Sequence, residues 1–288
     1  VPALPFQAIR RGLAFTDHFF GTVVGEDLFP DLFVGRLSVS RKQEADTVVQ
    51  KVIGYDLTQP SFWQDRILYF ANFDADSIFT QPSNELGTKY AELLGITSYK
   101  IYNSLDTPPE PNEDSREMIR QINEGRLVVN YLGHGSVSSM AFFLRGTFQQ
   151  QNFNYMSQIV NRDRLPLMIA MSCLNGLYAD PRFICLAEEM VNKEDGGAIA
   201  YISASSLALI FSNNFINTAM FRYFFKDGIL QFGQSLALAK IDLLTAFPGL
   251  STSALGMTLI GDPAQELRVP TGPDFSLSED GLQVDNLG

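Results

Sequence analysis

The run Leu127-Val128-Val129-Asn130-Tyr131-Leu132 is almost wholly apolar and breaks at once into Gly133-His134-Gly135-Ser136. A short apolar run closed by glycine reads as a buried strand, because a helix of this character needs about ten residues or more. The same grammar recurs along the chain. Ile67 to Phe73 ends in Asp74-Ala75-Asp76-Ser77, Pro166 to Met171 ends in Ser172-Cys173-Leu174-Asn175-Gly176, and Ala198 to Ala204 ends in Ser205-Ser206. Between these runs, apolar residues fall at helical spacing. Leu86, Tyr90, Leu93 and Leu94 mark one helix, and Met118, Ile119 and Ile122 another, closed by Gly125. Ile184 to Val191 forms a third, stopped by Gly196-Gly197, and two more fit Phe215 to Phe225 and Leu236 to Phe247. Continuous apolar strands alternating with amphipathic helices predict an α/β fold with a mostly parallel sheet covered on both faces.

Upstream, the first forty residues are aromatic and punctuated by Pro and Gly, and predict irregular structure with one short strand. Ser40 with Gln43 then reads as a capping box. It opens a helix whose Ala45, Val48, Val49, Val52 and Ile53 face the core, and Gln59-Pro60 ends the unit. Residues 103–113, rich in Pro, Asn, Asp and Glu, predict an exposed acidic loop.

Composition bounds the function. With 288 residues, 45% hydrophobic and 18% charged, the chain has material for a large core. Acidic residues number 32 against 21 basic, a net charge of −11, which argues against nucleic-acid or anionic-membrane partners. No apolar stretch approaches the ~18–20 residues of a membrane helix. Two cysteines, Cys173 and Cys185, make no disulfide framework, and His18 and His134 stand too far apart for a compact zinc motif. A start at Val1, without Met or targeting segment, reads as a piece of a longer protein.

In parallel α/β sheets, ligands bind beyond the carboxyl ends of the strands. His134, Cys173 and the carboxylates Asp74 and Asp76 leave that edge together if the strands are parallel neighbours. A thiol, a base and a group that orients the base are the ingredients of nucleophilic catalysis. Gly133 and Gly135 let a substrate approach the main chain, and the N–H groups of Gly135 and Cys173 are candidates for an oxyanion hole. No Lys follows Gly135-Ser136, so the segment is a poor phosphate cradle. Cys185, inside an amphipathic helix, reads as an inert buried thiol, and His18 as a structural histidine. Asp74 alone would pass for a cap, and Ser136 ranks below Cys173 because it has no base of its own.

At these residues the sequence resembles the gingipain family of cysteine peptidases, in the caspase-like clan. Asn130 to Ser136 resembles the family's histidine loop and Ser172 to Gly176 its nucleophile loop. Pro30 to Leu37 is similar to an upstream signature, and Leu259-Ile260-Gly261-Asp262-Pro263 to a closing one. The resemblance implies a caspase-like three-layer α/β sandwich at 61–270. Residues 1–60 would be the end of a smaller related subdomain, and 271–288 a linker toward a downstream immunoglobulin-like domain. It implies Cys173 as nucleophile, His134 as acid/base partner and Asp74 as the acid that orients it. Protein or peptide substrates, secretion or surface attachment, and structural calcium follow as expectations, with no cofactor needed for the chemistry.

Well-known family members cut after Arg or Lys, using an acid in the specificity pocket. Here the matching stretch, Ser205 to Asn214, holds no carboxylate and no Trp. A cationic side chain buried without a counter-charge costs several kcal/mol. The resemblance therefore implies an apolar or neutral pocket built from Ser205, Leu207, Ile210, Phe211 and Asn213, unless an acid such as Glu85 enters from elsewhere. A sortase-like transpeptidase with the same Cys–His pair, or a catalytically silent binding module, are the alternatives.

Overall fold

The computed structural model describes residues 2–8, 12–59, 61–73, 76–104, 106–108, 112–140, 144–145 and 155–269. Its elements run β1 (Leu4–Ala8), β2 (Gly12–Thr16), α1 (Lys42–Leu57), β3 (Arg66–Ala71) and α2 (Thr80–Leu86), then β4 (Thr97–Tyr102) and α3 (Glu113–Glu124). Next come β5 (Val128–Leu132), the short strands β6 (Gly135–Ser136), β7 (Ser139–Met140) and β8 (Leu144–Arg145), and β9 (Leu167–Met171). The chain closes with α4 (Leu186–Asn192), β10 (Ala200–Ala204), α5 (Ile210–Phe225), α6 (Phe232–Ala246), α7 (Ser251–Gly256) and β11 (Met257–Ile260).

The four apolar runs do become strands, at the centre of one six-stranded sheet ordered β11-β10-β9-β5-β3-β4. Every neighbouring pair is parallel except β10 with β11. Alternation along each strand sorts side chains to two faces. Ile67, Tyr69, Leu132, Ile169 and Ile202 join the core under α5, α6 and α7. Leu68, Phe70, Tyr131, Met168 and Tyr201 join the core under α3 and α4, with Val48 of α1. Strands buried on both faces need apolar residues throughout, so periodicity in the sequence is continuous rather than alternating. The one polar residue inside β5, Asn130, exchanges amide hydrogen bonds of 2.9 and 3.2 Å with Asn217 of α5.

Three expectations need correction. The first forty residues hold a hairpin, β1 with β2, whose Phe6, Ala8 and Ala14 pack on Leu255 of α7. Beyond that hairpin the only strand pairing among the described residues of the segment is an isolated bridge, Arg36 with Ile260. Helix α1 is capped through Glu44 rather than Gln43: the Ser40 and Arg41 N–H groups donate to its carboxylate at 2.7 and 3.2 Å, which holds that acid down to about 2. Its Val49 and Ile53 stay 46% and 48% exposed, because the helix turns only Val48 and Tyr55 fully inward. Residues 271–288, read as a linker, lie outside the described residues.

Candidate active site

The register of the sheet places the two loops. Leu132 pairs with Met171 across β5 and β9, so His134 and Cys173 each stand two residues beyond the same rung of adjacent parallel strands. Adjacent strands run about 4.8 Å apart. Ala170 pairs with Ser203 and Ala71 with Leu132, which brings the ends of β10 and β3 to the same edge. The loops then touch. A Cβ added to Gly135 would lie 2.7 Å from Ser172 Oγ and 2.8 Å from the Cys173 carbonyl oxygen. Only glycine allows the two backbones this approach.

A buried amide staples the loops together. Asn175 Nδ2 donates to the carbonyls of Ser136 and Ser139, the latter at 2.9 Å, while its Oδ1 accepts from Ser172 Oγ at 2.7 Å. Between Cys173 and Asn175 the chain passes through Leu174 at φ 65°, a left-handed conformation that costs a leucine about 1–2 kcal/mol. The turn is held by the Leu174 N–H, which donates to Ser206 O at 3.1 Å. Strain at such a turn persists where surrounding bonds over-determine it.

Cys173 is half-buried, and its Sγ accepts from the Ala208 N–H at 3.4 Å and lies 3.8 Å from Ala208 O. Among the described residues no acceptor meets the Cys173 N–H. Gly135 begins β6, opposite Met140. His134 is exposed, with its ring edge-on to Phe79 at 5.3 Å. Its main chain is held from inside: the N–H donates to Asn72 Oδ1 at 2.7 Å, and the Tyr131 hydroxyl lies 2.6 Å from its carbonyl oxygen. Cys185 is fully buried, and desolvation with the neighbouring Glu188 charge pushes its thiol well above the ordinary value.

The other expected residues divide. Asp74 lies outside the described residues, and Asp76 is exposed. Leu207, Ile210 and Phe211 are 37%, 40% and 53% exposed on the segment that clasps the sulfur. Phe211 and Phe247 stand edge to face at 5.0 Å, extending an apolar rim. Ser205 and Asn213 are buried instead, and the Ser205 hydroxyl lies 2.8 Å from Phe15 O and 3.1 Å from Gly256 O. Glu85 is exposed on α2, accepting from Gln81 at 3.0 Å. Among the described residues no three His, Cys, Asp or Glu gather as metal ligands, and Asp114 is engaged by Asn103 at 2.8 Å. No described helix is long and apolar enough to cross a membrane.

Asn72, Asn175, Tyr131 and Ala208 escaped sequence reading. The signal for Asn72 was a polar side chain at the end of an apolar strand, where burial demands a partner.

A model of peptidase family C25 matches residues 1–268. Gingipain R2 of Porphyromonas gingivalis (strain ATCC 33277) is 25% identical over 198 residues, covering 66% of this chain and 26% of that protein. Lys-gingipain W83 of Porphyromonas gingivalis is 28% identical over 196 residues, covering 66% of this chain and 10% of that protein. The chain thus spans about a quarter of the first relative's length and a tenth of the second's. The crystal structure of the Arg-specific cysteine proteinase gingipain R superimposes with a TM-score of 0.78 at 22% identity, over 93% of this chain and 62% of that one.

Proposed function

The chain belongs to peptidase family C25 and has its caspase-like fold, and from that premise we propose that it cleaves peptide bonds with Cys173 as nucleophile and His134 as proton donor and acceptor. The observation that carries this reading is the contact of the two loops, set by the Leu132–Met171 rung and closed at Gly135. In the proposed sequence His134 takes the thiol proton of Cys173 as Sγ turns from the Ala208 N–H and attacks the scissile carbonyl. The unpaired Cys173 N–H, with that of Gly135, meets the developing oxyanion. His134 gives a proton to the leaving amine, the acyl-enzyme forms, and water activated by the same imidazole hydrolyses it.

The apolar rim of Leu207, Ile210 and Phe211 favours an apolar or neutral side chain beside the scissile bond. Secretion or surface attachment, and an immunoglobulin-like domain downstream, belong to the same proposal and rest on family membership.

A proteome-derived peptide library tests activity and pocket together. Wild-type protein should cut after apolar or neutral residues, and Cys173→Ala should cut nothing while melting as wild type does. Iodoacetamide should label Cys173 long before Cys185. Cleavage surviving Cys173→Ala, or equal labelling of both thiols, sinks the reading.

A further inference from the structure

The main chain of His134 is held by a line of side chains, buried at Asn72 and Asn103 and half-buried at Asp114, that steps outward from strand to strand and ends on a helix. Asn72 follows β3, Asn103 follows β4, and Asp114 lies in the first turn of α3. His134 N–H donates to Asn72 Oδ1 at 2.7 Å, Asn72 Nδ2 to Asn103 Oδ1 at 3.0 Å, and Asn103 Nδ2 to Asp114 Oδ2 at 2.8 Å. Backbone bonds carry the sheet ladder alongside: Asn72 N–H donates to Leu132 O at 3.1 Å and Asn103 N–H to Ala71 O at 3.2 Å. Asn72 and Asn103 are 2% and 5% exposed, so neither amide exchanges its partners for bulk water.

The line has a direction fixed by its ends. A main-chain N–H can only donate and an ionised carboxylate can only accept, so each amide between them has one orientation that satisfies both neighbours. The Tyr131 hydroxyl lies 2.8 Å from Asn72 Oδ1 and 2.6 Å from His134 O, and its one proton is shared between these two oxygens. Gly133 fits the same account, because a side chain there would run into Asn72 Oδ1. The imidazole is exposed and packed on Phe79, so its reach toward Cys173 depends on where residue 134 sits in the main chain.

We propose that Asn72 is a positioning residue for His134, kept in its working orientation by Asn103 and Asp114. The proposal rests on the peptidase reading and goes deeper into the same site. Asn72→Ala leaves the His134 N–H and Asn103 Oδ1 without partners. Asn72→Asp keeps an acceptor for His134 but sets oxygen against oxygen at Asn103, or, if the Asn103 amide turns over, at Asp114. Asn72→Asp combined with Asp114→Asn restores a donor at every junction, with the line reversed beyond position 72.

The test measures kcat and KM on a cleaved peptide, together with the rate of Cys173 alkylation by iodoacetamide, using His134→Ala as reference. A displacement near 1 Å costs about 100-fold, so Asn72→Ala and Asn72→Asp should each lose about 10- to 100-fold in kcat with KM within about twofold. Alkylation should slow toward the His134→Ala rate, and the double variant should recover most of both losses. A kcat and alkylation rate unchanged in Asn72→Ala, or a double variant no better than Asn72→Asp, overturns the proposal while wild-type cleavage keeps the peptidase reading intact. If wild-type protein cuts no peptide, that reading fails and the alkylation rates alone decide the role of Asn72. Should Asn72→Ala not fold, the comparison of Asn72→Asp with the double variant decides it.

Discussion

Replacing Gly135 by alanine should damage catalysis and stability together. The new Cβ would sit 2.8 Å from the Cys173 carbonyl oxygen and 2.8 Å from Ser172 Cβ, where ordinary contact begins at 3.4 Å. Neither neighbour yields easily. One is backbone at Cys173, and the other belongs to a serine whose hydroxyl is bound to Asn175 at 2.7 Å. The shortfall of about 0.6 Å must be met by moving the histidine loop from the cysteine loop, and a 1 Å misplacement costs about 100-fold. We expect kcat/KM to fall about 10- to 100-fold, roughly 1.4–2.7 kcal/mol on the barrier. Overpacking should lower folding stability by about 1–3 kcal/mol. Progress curves on a cleaved peptide, normalised to alkylatable Cys173, give the first number, and urea unfolding gives the second. A Gly135→Ala protein within twofold of wild-type kcat/KM would refute the idea that these loops meet at the working distance.

Gly54 lies inside α1 with nothing within 4 Å of an added Cβ, so Gly54→Ala should stabilise by about 0.5–1 kcal/mol in urea unfolding and leave kcat/KM unchanged. Gly197 is the opposite case: its φ is +84° and an added Cβ would strike the Met190 carbonyl oxygen, so Gly197→Ala should lower the melting temperature clearly. His18, fully enclosed, donates from Nε2 to Leu28 O at 2.8 Å and faces the Lys240 ammonium group at 3.4 Å through Nδ1. Burial first, and Lys240 second, lower its pKa from 6.5 to about 4. The unfolded chain therefore takes up this proton first as pH falls, and stability present above pH 6.5 should drain away toward pH 4 by about 3 kcal/mol. Burial lowers Lys240 to about 7, so its own loss as pH falls runs from 10.5 down through 7 and lies mostly above the His18 window. Urea unfolding at pH 7 and pH 4.5 should show the His18 slope in wild type and its absence in His18→Gln; parallel slopes would remove His18 from the account.

What the sequence disclosed follows from where each element's energy comes from. β3, β5, β9 and β10 are buried on both faces, so burial alone writes each of them into a continuous apolar run that can be read locally. β4 is the sheet's edge, and in its Thr97-Ser98-Tyr99-Lys100-Ile101-Tyr102 the residues are half-buried or, at Thr97 and Lys100, exposed, which leaves no such run. The β1–β2 hairpin depends on Leu255, more than two hundred residues away, and nothing local announces that partner. The same division governs the site. The proposed pair, His134 and Cys173, stands out because each closely follows an apolar strand among small residues. That the two strands are neighbours was not, because strand order is a property of the folded sheet. The amides were less legible still. Asn72 reaches across 62 positions to His134, and Asn175 across 39 to Ser136. A buried polar group costs about 1–3 kcal/mol unless it is paired, and the pairing partner is chosen by topology rather than by local sequence. An asparagine at the end of an apolar strand thus poses a question that only the assembled edge answers: either water meets it, or it is holding something in place.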